Sequence, residues 1–207
     1  MLTPDELDRL EARCRTIPLS ERDHVAEDLI AELFETVLDY QNRAATVDKA
    51  LAHFRSQHDD VRSFQRLESA LAEHPDDDDL AQTLWGNRHH RRARELRGLV
   101  AYFRERDVTD LAALRRWAAA STQEDFVGHI KGLGPAAYRS LVMRLGVDTI
   151  KPDVHVLRFV SAAIGRRASQ DEAVASLEAV ARRLGISART LDGSIWAFQA
   201  GRAGASS

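Results

Sequence analysis

Apolar residues recur at intervals of three and four along almost the whole chain, a spacing that places them on one face of an α-helix. In the stretch SERDHVAEDLIAELFETVLDYQ, residues Val25, Leu29, Leu33 and Val37 form one stripe, with Ile30, Phe34 and Leu38 beside it. No stretch sustains the strict alternation of a half-buried strand, and no Asn-Gly pair marks a hairpin. Helix starts are also legible. Thr46 and Ser63 stand before apolar-periodic runs, and Ser121 with Glu124 and Ser169 with Glu172 have the spacing of a capping box. Gly86, Gly128, Gly146, Gly165 and Gly185 fall near helix ends or in turns. The acidic run 76–79 reads as an exposed loop or a helix start, where negative charge is favoured. The expectation is an all-α protein of about ten helices, with no internal repeat at a fixed period and no long linker.

At 207 residues and 44% hydrophobic, the chain can bury a core without disulfides or metals, as one domain or two interleaved halves. Its longest apolar runs, such as 99–103, fall far short of the roughly 20 residues of a bilayer span. The N-terminus, MLTPDELDRLEARCR, is charged and has no apolar signal core, so a soluble cytoplasmic protein is expected. The single cysteine, Cys14, cannot form an internal disulfide or by itself hold an iron–sulfur cluster or a cysteine zinc site, and it reads as inert.

The net charge of −3 argues at first against a nucleic-acid partner, because phosphate neutralisation supplies most of DNA affinity. The average hides a division. Residues 1–80 hold 9 basic and 20 acidic side chains, whereas residues 81–207 hold 20 basic and 12 acidic ones. Within the basic part, residues 128–167 carry seven cations and two anions. Such a surplus is also what an ordinary solvated face looks like. The excess of 26 arginines over three lysines fits a GC-rich coding bias better than a function.

One segment stands out, GHIKGLGPAAYRSLVMRLGVDTIKPDVHVLRFVSAAIG, residues 128–165. A helix ending near Ile130 is expected to meet Gly132-Leu133-Gly134-Pro135, after which residues 136–145 form a second helix. Two glycines free such a turn of Cβ atoms, so its backbone N–H groups can approach a phosphate, and the second helix turns its positive end to the same anion. Pro135 suits a first helical turn, and Lys131 supplies a nearby point charge. A plain tight connection between two helices gives the same pattern. Nineteen residues beyond Gly134 lies Asp153, in the run Lys151-Pro152-Asp153-Val154-His155-Val156-Leu157-Arg158-Phe159. An Asp after Pro and before an apolar helix is also an ordinary N-cap.

The pairing of that hairpin with a Pro-Asp-x-His-Val-x-Arg helix start resembles the helix-hairpin-helix superfamily of DNA glycosylases, which includes endonuclease III and the adenine and alkylated-base glycosylases. Asp153 matches that family's catalytic aspartate, and His155 and Arg158 match the residues that follow it. The similarity extends more loosely over residues 25–202. Gln41 and Lys49-Ala50 resemble the family's early helices, Trp85-Gly86-Asn87 with Arg92-Ala93 its Gly-x-x-x-Lys-Ala segment, and Trp196 to Arg202 its last core helix.

The resemblance implies two interleaved helical subdomains flanking a DNA-binding groove, one a bundle over residues 22–147 with its hairpin at 128–146, the other built from residues 1–21 and 148–207. It implies a monofunctional glycosylase of base excision repair, acting on a damaged or mismatched base in double-stranded DNA. A monomer without membrane association is expected, cytoplasmic, and nucleoid-associated if the source is bacterial. Asp153 would activate water and stabilise the oxocarbenium-like sugar. Lys131, Gly132, Leu133, Gly134, Pro135 and Ala136 would bind the DNA backbone, and Tyr40 and Gln41 would line the base pocket or fill the gap left by the flipped nucleotide. Two departures qualify this. Members that also cleave the backbone carry a lysine where this chain has Ala136, so lyase activity is not expected. Many members continue past the last helix into a four-cysteine iron–sulfur loop, and no cysteine follows that helix here, so no cluster and no metal is expected. In relatives a monovalent cation helps the hairpin hold its phosphate, and nothing in the spacing shows one here.

Other residues have competing readings. His89, His90, Arg91, Arg92 and Arg94 contact phosphates or form a solvated helix face, and two adjacent histidines make a poor metal site. Trp85, Trp117 and Trp196 stack on a base or pack in a core. A DNA-binding module without catalysis, or a helical interaction protein using its acidic first 80 residues, are the readings of other classes.

Overall fold

The computed structural model describes residues 2–19, 25–38 and 44–204, and among them the fold is entirely helical. Eleven helices follow in chain order: α1 Pro4–Cys14, α2 Leu29–Leu38, α3 Ala44–Gln57, α4 Phe64–Glu73, α5 Asp77–Trp85, α6 His90–Arg104, α7 Leu111–Ala120, α8 Pro135–Arg144, α9 Val154–Ile164, α10 Gln170–Leu184 and α11 Ala188–Gly204. None of them is long and apolar enough to cross a membrane. The chain divides into two compact units, residues 1–24 with 147–207, and residues 25–146.

Local chemistry sets most of the helix starts. Ser63 accepts from the Arg66 N–H, Asp76 from the N–H groups of Asp78 and Asp79, and Asp110 from Ala113. Ser169 and Glu172 form a reciprocal capping box, as do Thr3 and Glu6. Two expected starts are placed differently. Thr46 lies inside α3, because the helix already begins at Ala44 and alanine extends a helix at little cost. Ser121 ends α7 instead of starting a helix with Glu124. The carboxylate of Asp125 takes both the N–H (2.6 Å) and the hydroxyl (2.8 Å) of Thr122. That local bonding competes with helix formation, and residues 124–130 run as successive turns, not as the helix expected before the hairpin.

In the unit of residues 25–146, the core gathers Phe34, Phe103 and Phe126 with Leu33, Leu67, Leu80, Leu84, Leu96 and Leu99. Trp85 and Trp117 belong to its aromatic contacts, Trp85 edge-on to Phe34 and Trp117 edge-on to Phe103, so both are packing residues. Two glutamates are buried with arginine partners. Glu32 on α2 receives the Arg144 Nε of α8 at 2.8 Å, while the same guanidinium donates to Ser140 and Thr36. Glu95 on α6 pairs with Arg92 at 2.8 Å and Arg91 at 2.9 Å. Arg92 is therefore buried, not part of a solvated helix face. Arg94 and Arg97 both bond Asp77.

In the unit of residues 1–24 and 147–207, α1 packs on α9 and α10, and α9 and α10 also pack on α11. Leu10, Phe159, Val160, Leu177, Val180, Leu191 and Ile195 fill its core. Cys14 is part of that core, and burial pushes its thiol up to about 12, which leaves it unreactive at neutral pH. Arg166 ties α1 to α10 by bonding Glu6 and Glu172.

Candidate functional site

The hairpin glycines play different parts. Gly132 has φ +101°, a region that disfavours any side chain, and a Cβ there would overlap the carboxylate of Glu95. Gly134 has φ −107° and ψ −164°, open to any residue, and a Cβ on it would meet nothing within 4 Å. The fold of the chain thus requires a glycine at 132 and not at 134.

Helix α6 cradles this turn from below. Glu95, Gly98 and Tyr102 fall on one face at helical spacing. The glycine at 98 lets Ile130 approach the helix, with its Cγ2 only 3.0 Å from where a Cβ would stand. Tyr102 donates its hydroxyl to the Asp125 carbonyl at 2.7 Å. Ile130 and Leu133 are buried, and the Leu133 N–H closes the turn on the Ile130 carbonyl at 3.1 Å. The side chain of Leu133 therefore anchors the loop. Lys131 is exposed beside the turn, and Pro135 opens α8 at its first position. No side chain caps α8, so the N–H groups of its first turn are left without the carboxylate or hydroxyl that serves α4, α5, α7, α9 and α10. The sequence signal for the cradle was Gly98 itself, an interior helix glycine that costs about 1 kcal/mol relative to Ala unless packing needs it.

Asp153 belongs to the other unit, and its place is set by Lys151, Pro152 and α11. It is the N-cap of α9, with Oδ1 accepting the N–H of His155 (2.8 Å) and of Val156 (3.0 Å). Among the described residues Oδ2 makes no hydrogen bond and Asp153 no ion pair. The capping and the catalytic readings thus occupy different oxygens of one carboxylate. Pro152 is buried, Val154 is exposed, and Arg158 is exposed farther along α9. The Nδ1 of His155 is buried without a hydrogen-bond partner among the described residues.

Sequence reasoning missed Asp192. It lies on α11, 8% exposed, and its Oδ1 accepts the Lys151 N–H at 2.9 Å. The Lys151 carbonyl in turn accepts the Asp153 N–H at 2.8 Å, so Lys151 links the two aspartates through its backbone. Burial pushes the Asp192 carboxyl up to about 7; the Lys151 N–H bond opposes this and the charge of Asp153 adds to it. One helical turn beyond it stands Trp196, 41% exposed and so the one tryptophan of the three outside the packing role. Tyr40 and Gln41 lie outside the described residues. Among the described residues no group of three or more histidine, cysteine, aspartate and glutamate side chains is placed to hold a metal ion.

The family model described as a domain of unknown function, DUF8548, matches residues 10–200, and the chain belongs to that family. No curated protein and no solved structure matches the chain.

Proposed function

We propose that this member of the DUF8548 family is a monofunctional DNA glycosylase, which hydrolyses the N-glycosidic bond of a damaged or mismatched base turned out of duplex DNA. The observation that carries the reading is the state of Asp153. One carboxylate oxygen is spent on the start of α9, which fixes the side chain, and the other is left unbonded among the described residues.

A carboxylate fixed in this way suits the reaction. Breaking the glycosidic bond builds positive charge on the sugar, and a fixed negative charge beside C1′ lowers that barrier without reorganising. The same oxygen can orient and deprotonate the attacking water. Turning the nucleotide out costs a few kcal/mol, least for a damaged or mismatched base, and this biases the enzyme toward lesions. At the hairpin, the uncapped first turn of α8 offers N–H groups and a positive helix end to a backbone phosphate, and the open space at Gly134 lets that phosphate come close. Lys131 adds a charge beside it. Ala136 leaves no amine to attack the sugar, so the product is an abasic site with an intact strand.

The test offers duplexes carrying uracil, 3-methyladenine, hypoxanthine, 8-oxoguanine or a G·T mismatch to the wild type and to Asp153→Asn. Asparagine keeps the N-cap, so the variant folds, and excision should fall on the order of a hundredfold or more. Equal excision by the variant overturns the reading. The free first turn of α8 also favours a second reading, a DNA-binding module without catalysis. In that case salt-sensitive duplex binding is measured, Gly134→Arg abolishes it, and no duplex yields product.

A further inference from the structure

We propose that Asp192 is the positioning residue of Asp153, holding the segment that presents the catalytic carboxylate and coupling its own protonation to the charge at that site. The proposal rests on the glycosylase reading for its catalytic consequence, but the coupling itself has a readout that needs no substrate.

The geometry is a short relay. Asp192 comes from α11 and binds the N–H of Lys151, the Lys151 carbonyl binds the N–H of Asp153, and Pro152 between them is buried and has no N–H of its own. The segment therefore has one long-range backbone anchor, which ends on a buried acid 41 residues away, and one local bond that carries it on to Asp153. A backbone N–H could have been satisfied by a carbonyl or a neutral amide at lower cost, since a buried carboxylate without a cation is among the most expensive groups to hold. Among the described residues Asp192 forms no ion pair. The charged groups that act on it are Asp153, at the start of α9, and Lys151, just before it.

The consequence follows from the sign of each charge. When Asp192 is neutral, one negative charge faces the site; when it ionises, a second stands behind the first. That second charge strengthens the bond from the Lys151 N–H and deepens the negative field at a developing sugar cation. Excision should therefore rise as pH goes up through about 7.

The experiment follows the backbone amides of Lys151, His155 and Val156 by NMR from pH 5.5 to 8.5, in the wild type and in Asp192→Asn, and measures excision over the same range. Asparagine retains an acceptor for the Lys151 N–H, so the segment keeps its anchor. In the wild type the Lys151 amide should titrate with a midpoint near 7, and the amides of His155 and Val156, which bond Asp153, should move with the same midpoint. Both transitions should vanish in Asp192→Asn. Wild-type excision should rise about threefold or more across the range and stay flat, at the lower value, in the variant. Absence of the shared midpoint at His155 and Val156 overturns the coupling. A shared midpoint with equal pH profiles for the two proteins overturns the catalytic role of the coupling. A shared midpoint with no excision by either protein leaves the coupling standing and removes the glycosylase reading instead.

Discussion

Both units of this protein bury glutamates against arginine, but the unit of residues 1–24 and 147–207 also buries, among the described residues, an acid with no arginine partner. Residues 25–146 enclose Glu32 and Glu95, and each meets arginine: Arg144 on the first, Arg92 and Arg91 on the second. The other unit pairs Glu6 with Arg166 in the same way but also encloses Asp192, which meets a backbone N–H and the repulsion of a second aspartate. The first arrangement neutralises the charge and fixes helices: Arg144 joins α8 to α2, and Glu95 seats α6 under the hairpin glycine. The second leaves a carboxyl that changes charge near neutral pH. A buried acid with its arginine is a structural device, while a buried acid without one, two residues of backbone from another carboxylate, is a functional candidate.

This contrast can be broken at several points. Arg144→Leu should have the largest effect, because it strands Glu32, 2% exposed, without its partner. A loss of about 3–5 kcal/mol is expected in denaturant unfolding at pH 7. If the loss is within 1 kcal/mol, Glu32 is not neutralised by Arg144 and the contrast fails.

Asp192→Asn should go the other way at high pH. The folded-state value of Asp192 is raised, so its protonated form stabilises the protein below the ordinary carboxylate range, and that contribution disappears as pH rises through about 7. A rise from 3.8 to about 7 corresponds to roughly 4 kcal/mol as an upper bound. The variant should therefore gain on the wild type between pH 4 and pH 8, in matched thermal or urea melts. A constant difference between the two proteins over that range would show that the group does not titrate there.

The hairpin glycines give a smaller and more selective pair. Gly132→Ala should destabilise by about 1–3 kcal/mol, because it combines a positive φ with an overlap on Glu95. Gly134→Ala should change the unfolding free energy by no more than an ordinary surface change, about 0.5 kcal/mol, and still weaken duplex binding at low salt. Equal effects of the two on stability would remove the distinction between a glycine the fold needs and one it does not.

The smallest effect concerns Cys14. Native protein should leave it unmodified by a disulfide reagent at pH 8 over hours, with full reaction in denaturant, as its raised thiol and burial require. Rapid native labelling would mean that the α1 end of the core opens readily.

What was legible in the sequence was local. The apolar spacing of Leu29, Leu33 and Val37 reports a helix because turns of a helix repeat within four residues, and Ser63, Asp76 and Ser169 report helix starts because a cap reaches only two or three residues ahead. Asp153 was legible for the same reason, as a residue between Pro152 and an apolar helix. Where local signals competed, reading the sequence failed. Ser121 and Glu124 have capping-box spacing, yet Thr122 and Asp125, one residue later, take the hydrogen bonds and turn the chain toward the hairpin.

The sequence by itself therefore determined the helical class, the main helix starts, and the two motifs from which a reaction can be argued. Tertiary structure decided which glycine the hairpin needs, through Glu95 on a helix 37 residues earlier, and which acid stands behind Asp153, through an α11 residue that bonds Lys151 across 41 residues of chain. The physical reason is that burial and pairing set the cost and the charge of an acid, and both depend on which distant helices meet. An aspartate in DGSIW looks the same in sequence whether it ends up in water, beside an arginine, or as Asp192 does, inside a core against another aspartate's loop.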